Sequence, residues 1–142
     1  MSADVAIADL IPHAGSMCLL ERILEWDDEG VRLATKTHLS PENPLRRGGS
    51  LDAVHLCEYG AQAMAVHGGL LARRDGGRAN PGFLVSLRDV WLAAGPIESC
   101  ADELVVVARR QHGDAAGWQY AFEVESAGRR LASGRATIAM RR

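Results

Sequence analysis

The chain has 142 residues, 47% of them hydrophobic, which is the size and composition of one ordinary domain with a packed core. A formal charge of −2 and a pI near 6.2 argue against the global basic field that binding to nucleic acid or to an anionic membrane requires. No basic segment followed by an apolar run opens the chain, and no apolar stretch approaches the ~20 residues that span a bilayer, so a cytoplasmic protein with neither partner is expected.

In chain order, residues 3–10 suggest a short helix stopped by Pro12. MCLLERILEW (17–26) reads as a strand, DDEG as a turn, and VRLATKTHL (31–39) as a second strand, together a hairpin. SPENPLRRGGS (40–50), with two prolines and two glycines, is a loop of a length that is often functional. A long helix is predicted over 51–67, capped by Ser50 or Asp52 and ended by Gly68 and Gly69. After an Arg- and Gly-rich linker come the strand-like runs FLVSLRDVWL, ELVVVARRQHG, WQYAFEVES and, past an Ala127-Gly128 turn, RRLASGRATIAM. Local reasoning therefore gives an α+β domain over 1–142 with one helix packed by an antiparallel sheet.

Cys18, Cys57 and Cys100 are odd in number and include no CxxC pair, so neither a disulfide framework nor a metal site is indicated, and all three are expected as buried apolar side chains. His38 and His112 have no motif around them and are expected at a loop or strand end. No motif implies a cofactor.

The long helix is apolar around nearly its whole circumference, as expected of a helix enclosed by protein, but His55, Glu58, Tyr59 and Gln62 recur at spacings of three and four and form a polar stripe. Two readings stay open. The stripe is a narrow solvent face or an internal hydrogen-bond network, or else it lines a site in which an acid and an imidazole, shifted by apolar surroundings, transfer protons.

LIPHAGSMCLLERIL, CEYGAQAMAVHGG, FLVSLRDVWLAAGPI and GRRLASGRATIAM, in that order, resemble the FabZ/FabA-type β-hydroxyacyl-acyl-carrier-protein dehydratases, and among them the divergent ApeP-like branch linked to aryl polyene synthesis. The resemblance spans nearly the whole chain. It implies the hot-dog fold, a long central helix wrapped by an antiparallel sheet, paired with itself or with another hot-dog subunit. It also implies removal of water from a 3-hydroxyacyl thioester carried on acyl carrier protein or coenzyme A, in fatty acid or aryl polyene type synthesis, without metal or cofactor. By the same matching, Glu58 falls on the helix carboxylate and Gln62 on the glutamine that follows it. Ala53 falls on the helix-start residue whose amide meets the thioester carbonyl. The family's loop histidine falls on Pro44, which cannot transfer a proton, so His55 or His13 is expected to supply the imidazole if the reaction is retained.

Three functions follow from the resemblance: an active dehydratase built on Glu58 with His55 or His13, a non-catalytic partner of an active dehydratase, and a thioesterase in which a helix carboxylate activates water. An acidic carrier protein is expected near Arg46, Arg47, Arg73, Arg74 and Arg78.

Overall fold

The structure, a computed structural model, describes residues 6–11, 15–77, 82–95, 97, 100–114 and 116–140. Six strands, β1 (Arg22–Trp26), β2 (Gly30–Thr35), β3 (Gly82–Leu92), β4 (Leu104–Asp114), β5 (Gly117–Ser126) and β6 (Arg129–Met140), form one antiparallel sheet in the order β1-β2-β4-β5-β6-β3. Against one face lies the helix α1 (Leu56–Arg74), introduced by a 3-10 turn over Ala53–His55. This is the hot-dog arrangement expected from the sequence.

The alternation in β5 explains why the sheet has an inner and an outer face. Tyr120, Phe122, Val124 and Ser126 are buried toward α1, while Gln119, Ala121, Glu123 and Glu125 alternate with them on the outer side. Leu104, Val106 and Ala108 of β4 and Leu33 of β2 extend the inner surface, and Leu56, Ala63, Val66 and Leu70 of α1 close over it. Phe122 sits in a slot made by two glycines. A Cβ at Gly60 would lie 2.6 Å from its ring and one at Gly134 2.8 Å, so only glycine lets α1 and β6 approach it from both sides.

α1 packs on β2, β4, β5 and β6 and leaves the inner face of β3 open. Leu84 (46% exposed) and Leu87 (38%), which pair with Ile138 and the buried Ala136, are therefore apolar side chains in water, and β3 is also an edge strand with an unpaired side.

Several elements depart from the sequence expectation. The first strand starts at Arg22, not Met17: Gly15–Met17 is a 3-10 turn, and residues 18–21 are irregular. Side chains rather than a neighbouring strand satisfy this backbone. Leu19 N–H donates to Gln62 Oε1 (2.9 Å), and the Leu19 carbonyl accepts the hydroxyls of Thr35 and Thr37, both at 2.6 Å. The second strand likewise ends at Thr35 and passes into a 3-10 turn over Thr37–Leu39. In the opening segment the helical turn is of the 3-10 type and covers Ile7–Asp9, and Pro12 lies outside the described residues.

The helix does not stop at Gly68 and Gly69. A Cβ at Gly69 would lie 2.8 Å from the Leu10 carbonyl, so that glycine admits the opening segment against the helix instead of ending it. Termination comes seven residues later, where Gly76 at φ 83° donates to Arg73 O and Gly77 donates to Ala72 O, a Schellman closure of the last turn.

Candidate functional site

The 3-10 turn that leads into α1 begins at Asp52, whose carboxylate accepts the Val54 N–H at 2.9 Å and fixes the turn's start. Ala53 is buried there, next to a groove of about 560 Å³ between residues 50–53 and 92–95. The Ile97 N–H to Leu51 O bond (3.1 Å) ties the far wall of this region back to the helix entry.

Half-buried His55 closes the turn, and half-buried Glu58 lies in the first turn of α1. Glu58 Oε1 accepts from Gln62 Nε2 at 3.3 Å, the i, i+4 contact that their spacing predicted. Gln62 itself is fully buried: its Nε2 donates also to Met17 O (2.7 Å), and its Oε1 accepts Leu19 N–H. Its amide is thus a clamp between the opening segment and α1, with one edge turned to the carboxylate. His13 lies outside the described residues.

Tyr59, buried in the core, anchors the loop that follows β2. Its hydroxyl accepts from Asn43 Nδ2 (2.9 Å) and donates to Thr37 Oγ1 (2.9 Å), whose own hydrogen is committed to Leu19 O. Burial pushes the Tyr59 phenol up, so it stays a neutral donor. Asn43 Oδ1 also accepts Leu45 N–H at 2.9 Å, so Pro44 stands in a loop pinned on both sides. The polar stripe therefore divides: Tyr59 and Gln62 are an internal network, while His55 and Glu58 remain half exposed. Nothing in the spacing alone marks Asn43 and Thr37 as members of that network; Asn43 reads in the sequence as an ordinary turn residue.

The basic residues expected to receive a carrier protein are not gathered in one place. Arg46 donates to His38 O (2.8 Å) and Gly49 O (3.1 Å), and Arg47 donates to Pro44 O (3.1 Å) and Arg46 O (3.0 Å), so both serve their own loop. Arg73 and Arg74 stand at the other end of α1, about 21 Å from Tyr59 by helical rise; Arg74 pairs with Asp28 and with Asp75, the latter at 3.2 Å. Arg78 lies outside the described residues.

The cysteines are half-buried rather than enclosed. Burial raises the Cys57 and Cys18 thiols, which keeps them protonated and weakly nucleophilic. His38 lies just past the end of β2, as expected, and is fully buried in its 3-10 turn, with Nε2 donating to Cys100 O at 2.7 Å. His112 is exposed on β4. Among the described residues no group of three His, Cys, Asp or Glu side chains is placed to hold a metal, and no helix is long and apolar enough to cross a membrane.

A carboxylate on the first turn of the buried helix, a helix entry beside a groove and a six-stranded wrap make up the site. The family described as ApeP dehydratase, ApeP-like, matches residues 5–141. The chain belongs to the ApeP-like dehydratase family. No curated protein matches the chain by sequence. Among solved structures, the dehydratase heterocomplex ApeI:P from Xenorhabdus doucetiae superposes with a TM-score of 0.88 at 20% identity, over 99% of this chain and 93% of the other. AziG of S. sahachiroi follows with a TM-score of 0.65 at 19% identity, over 94% and 98% of the two chains. A hypothetical thioesterase from Streptococcus pneumoniae TIGR4, solved with coenzyme A, gives 0.63 at 15% identity over 84% of each. These likenesses establish the hot-dog fold, and family membership makes the protein dehydratase-like.

Proposed function

We propose that this chain is a single-domain, cytoplasmic 3-hydroxyacyl-thioester dehydratase subunit, acting on an acyl group carried by acyl carrier protein or coenzyme A. The observation that carries the reading is Glu58, which falls where the family has its helix carboxylate, is half exposed, and is held by the buried Gln62 amide. In the reaction a base removes the proton from C2 while the electron pair forms the C2=C3 bond, and an acid gives a proton to the departing 3-hydroxyl, which leaves as water. Glu58 is one of these two groups, and the imidazole of His55 or His13 is the other. The Ala53 amide, beside the groove, is the donor for the thioester carbonyl oxygen as negative charge develops there.

The subunit works as a dimer, with itself or with another hot-dog chain. β3 has a free edge and an uncovered inner face, and the residues left partly exposed along α1, Cys57, Ala61, Ala65, Gly68 and Ala72, are small enough for a second helix to lie alongside. A second reading, a non-catalytic subunit that completes an active dehydratase, is favoured by Pro44 at the position of the loop histidine, and the ApeI:P relative is a heterocomplex.

The deciding assay offers a 3-hydroxyacyl thioester and its enoyl counterpart to the purified protein, alone and mixed with a catalytically competent hot-dog dehydratase. Interconversion by the protein alone is expected. No activity alone, with the mixture more active than the second dehydratase by itself, would establish the partner reading, and release of free thiol would replace both with thioesterase chemistry.

A further inference from the structure

The outer face of the sheet, away from α1 and Glu58, carries a row of arginines that the fold itself does not use. Arg88 of β3 is directly opposite Arg135 of β6, Arg135 is opposite Ala121 of β5, and Ala121 is opposite Arg109 of β4. All three arginines are exposed, and alternation with buried Phe122, Ala136 and Ala108 puts them on the outer side. Like charges directly opposite across two strands destabilise a sheet, so the Arg88–Arg135 pair costs stability rather than contributing it. Nearby acids relieve the row only in part. Arg135 Nε is 3.9 Å from Asp89 Oδ2, and Arg109 lies close enough to Asp27 to help hold that carboxyl down. Elsewhere on this face charge is balanced within the chain, Arg32 by Glu25 and Arg130 by Glu123. Trp91, half exposed, projects from the same face one row along, opposite Ser133. Arginine and tryptophan are the side chains that most often carry binding energy in protein interfaces.

We propose that this outer face docks an acidic α-helix of a partner protein, its carboxylates on the Arg88, Arg135 and Arg109 row and its apolar side against Trp91. Strands stand about 4.8 Å apart, so the three arginines sit near 0, 5 and 15 Å along the row. The 5.4 Å pitch of an α-helix presents carboxylates of one face at nearly the same intervals. Nucleic acid fits less well. The face also carries Asp89, Glu123 and Glu25, which repel a continuous line of phosphates but leave room for discrete carboxylates, and the chain as a whole is acidic at −2. The face lies on the side of the sheet opposite α1 and Glu58, so the inference does not depend on the proposed reaction.

The test titrates the full-length protein into a labelled alanine-based helical peptide of about 20 residues with glutamate at every fourth position, at several salt concentrations. Saturable binding that weakens with salt is expected. Arg88→Glu and Arg109→Glu, at opposite ends of the row, should each weaken it on the order of tenfold, whereas Arg73→Glu at the end of α1 should leave it unchanged. Because Arg88→Glu sets an acid opposite Arg135, its melting temperature should hold or rise while binding falls, which separates loss of docking from loss of fold. The idea is overturned by absence of saturable binding, by binding indifferent to the row variants, or by tighter binding of duplex DNA or phosphatidylserine vesicles lost in those same variants.

Discussion

The first turn and the middle of α1 carry the same kinds of polar side chain in different circumstances. Near its start, Glu58 is half exposed and touches the buried Gln62 amide at 3.3 Å. Nine residues beyond Glu58 and five past Gln62, His67 is fully enclosed and both ring nitrogens are engaged: Nε2 faces the Asp27 carbonyl at 2.8 Å and must carry the hydrogen, so Nδ1 accepts from the Tyr120 hydroxyl at 2.9 Å. Burial lowers the His67 imidazole and pushes the Tyr120 phenol up to about 12, which fixes both as neutral partners. An acid–base side chain on a buried helix is therefore no sign of chemistry in itself. What distinguishes the two stretches is access from outside the fold.

That contrast can be broken most sharply at Glu58. Glu58→Gln is expected to keep the fold and lower dehydratase turnover by ~10²–10⁴-fold, as for a lost general acid or base. Measuring turnover and melting temperature on the same preparation checks it, and full activity with lost stability would place Glu58 with His67 as a structural residue. Next in size is Gln62→Leu. It strands the Leu19 N–H and the Met17 carbonyl in the interior and should cost about 2–4 kcal/mol, read by urea denaturation. The smallest effect concerns His67. Its folded pKa lies below the ordinary 6.5, so the unfolded chain binds more protons in the window below 6.5, and stability present above that pH is lost as pH falls through the window. Each pH unit there is worth at most about 1.4 kcal/mol. His38, lowered by burial in the same way, contributes to the same slope. His67→Gln should therefore flatten the pH dependence of the unfolding midpoint below pH 6.5 without abolishing it, and an unchanged slope would show that His67 is not titrating there.

The strand alternation of β5, the apolar run of β4 and the all-round apolarity of α1 made the architecture legible, because burial on a sheet and within a wrap leaves a periodic trace in the chain. The irregular backbone at residues 18–21 left none. There the polar groups of Leu19 are claimed by Gln62, Thr35 and Thr37, side chains 16 to 43 residues away. Gly68 and Gly69 misled for a related reason, since glycine serves close approach as readily as termination, and Leu10, which decides between them, is distant in sequence. At the site, Glu58 and its i, i+4 contact with Gln62 were legible from helical spacing. The loop anchored by Asn43 and Tyr59 was not, because its logic lies between elements.

The slot around Phe122 also bears on how this chain can change over generations. Gly60 on α1 and Gly134 on β6 press on one ring from two sides, so neither can accept a side chain alone, and the ring cannot shrink without leaving a void between helix and sheet. The three positions are epistatically locked: the way out is a smaller residue at 122 arriving together with a larger one at 60 or 134. Relatives that have kept this helix-to-sheet distance should vary at these sites as a group, which makes the triplet a record of packing shared across lineages even where overall identity has faded.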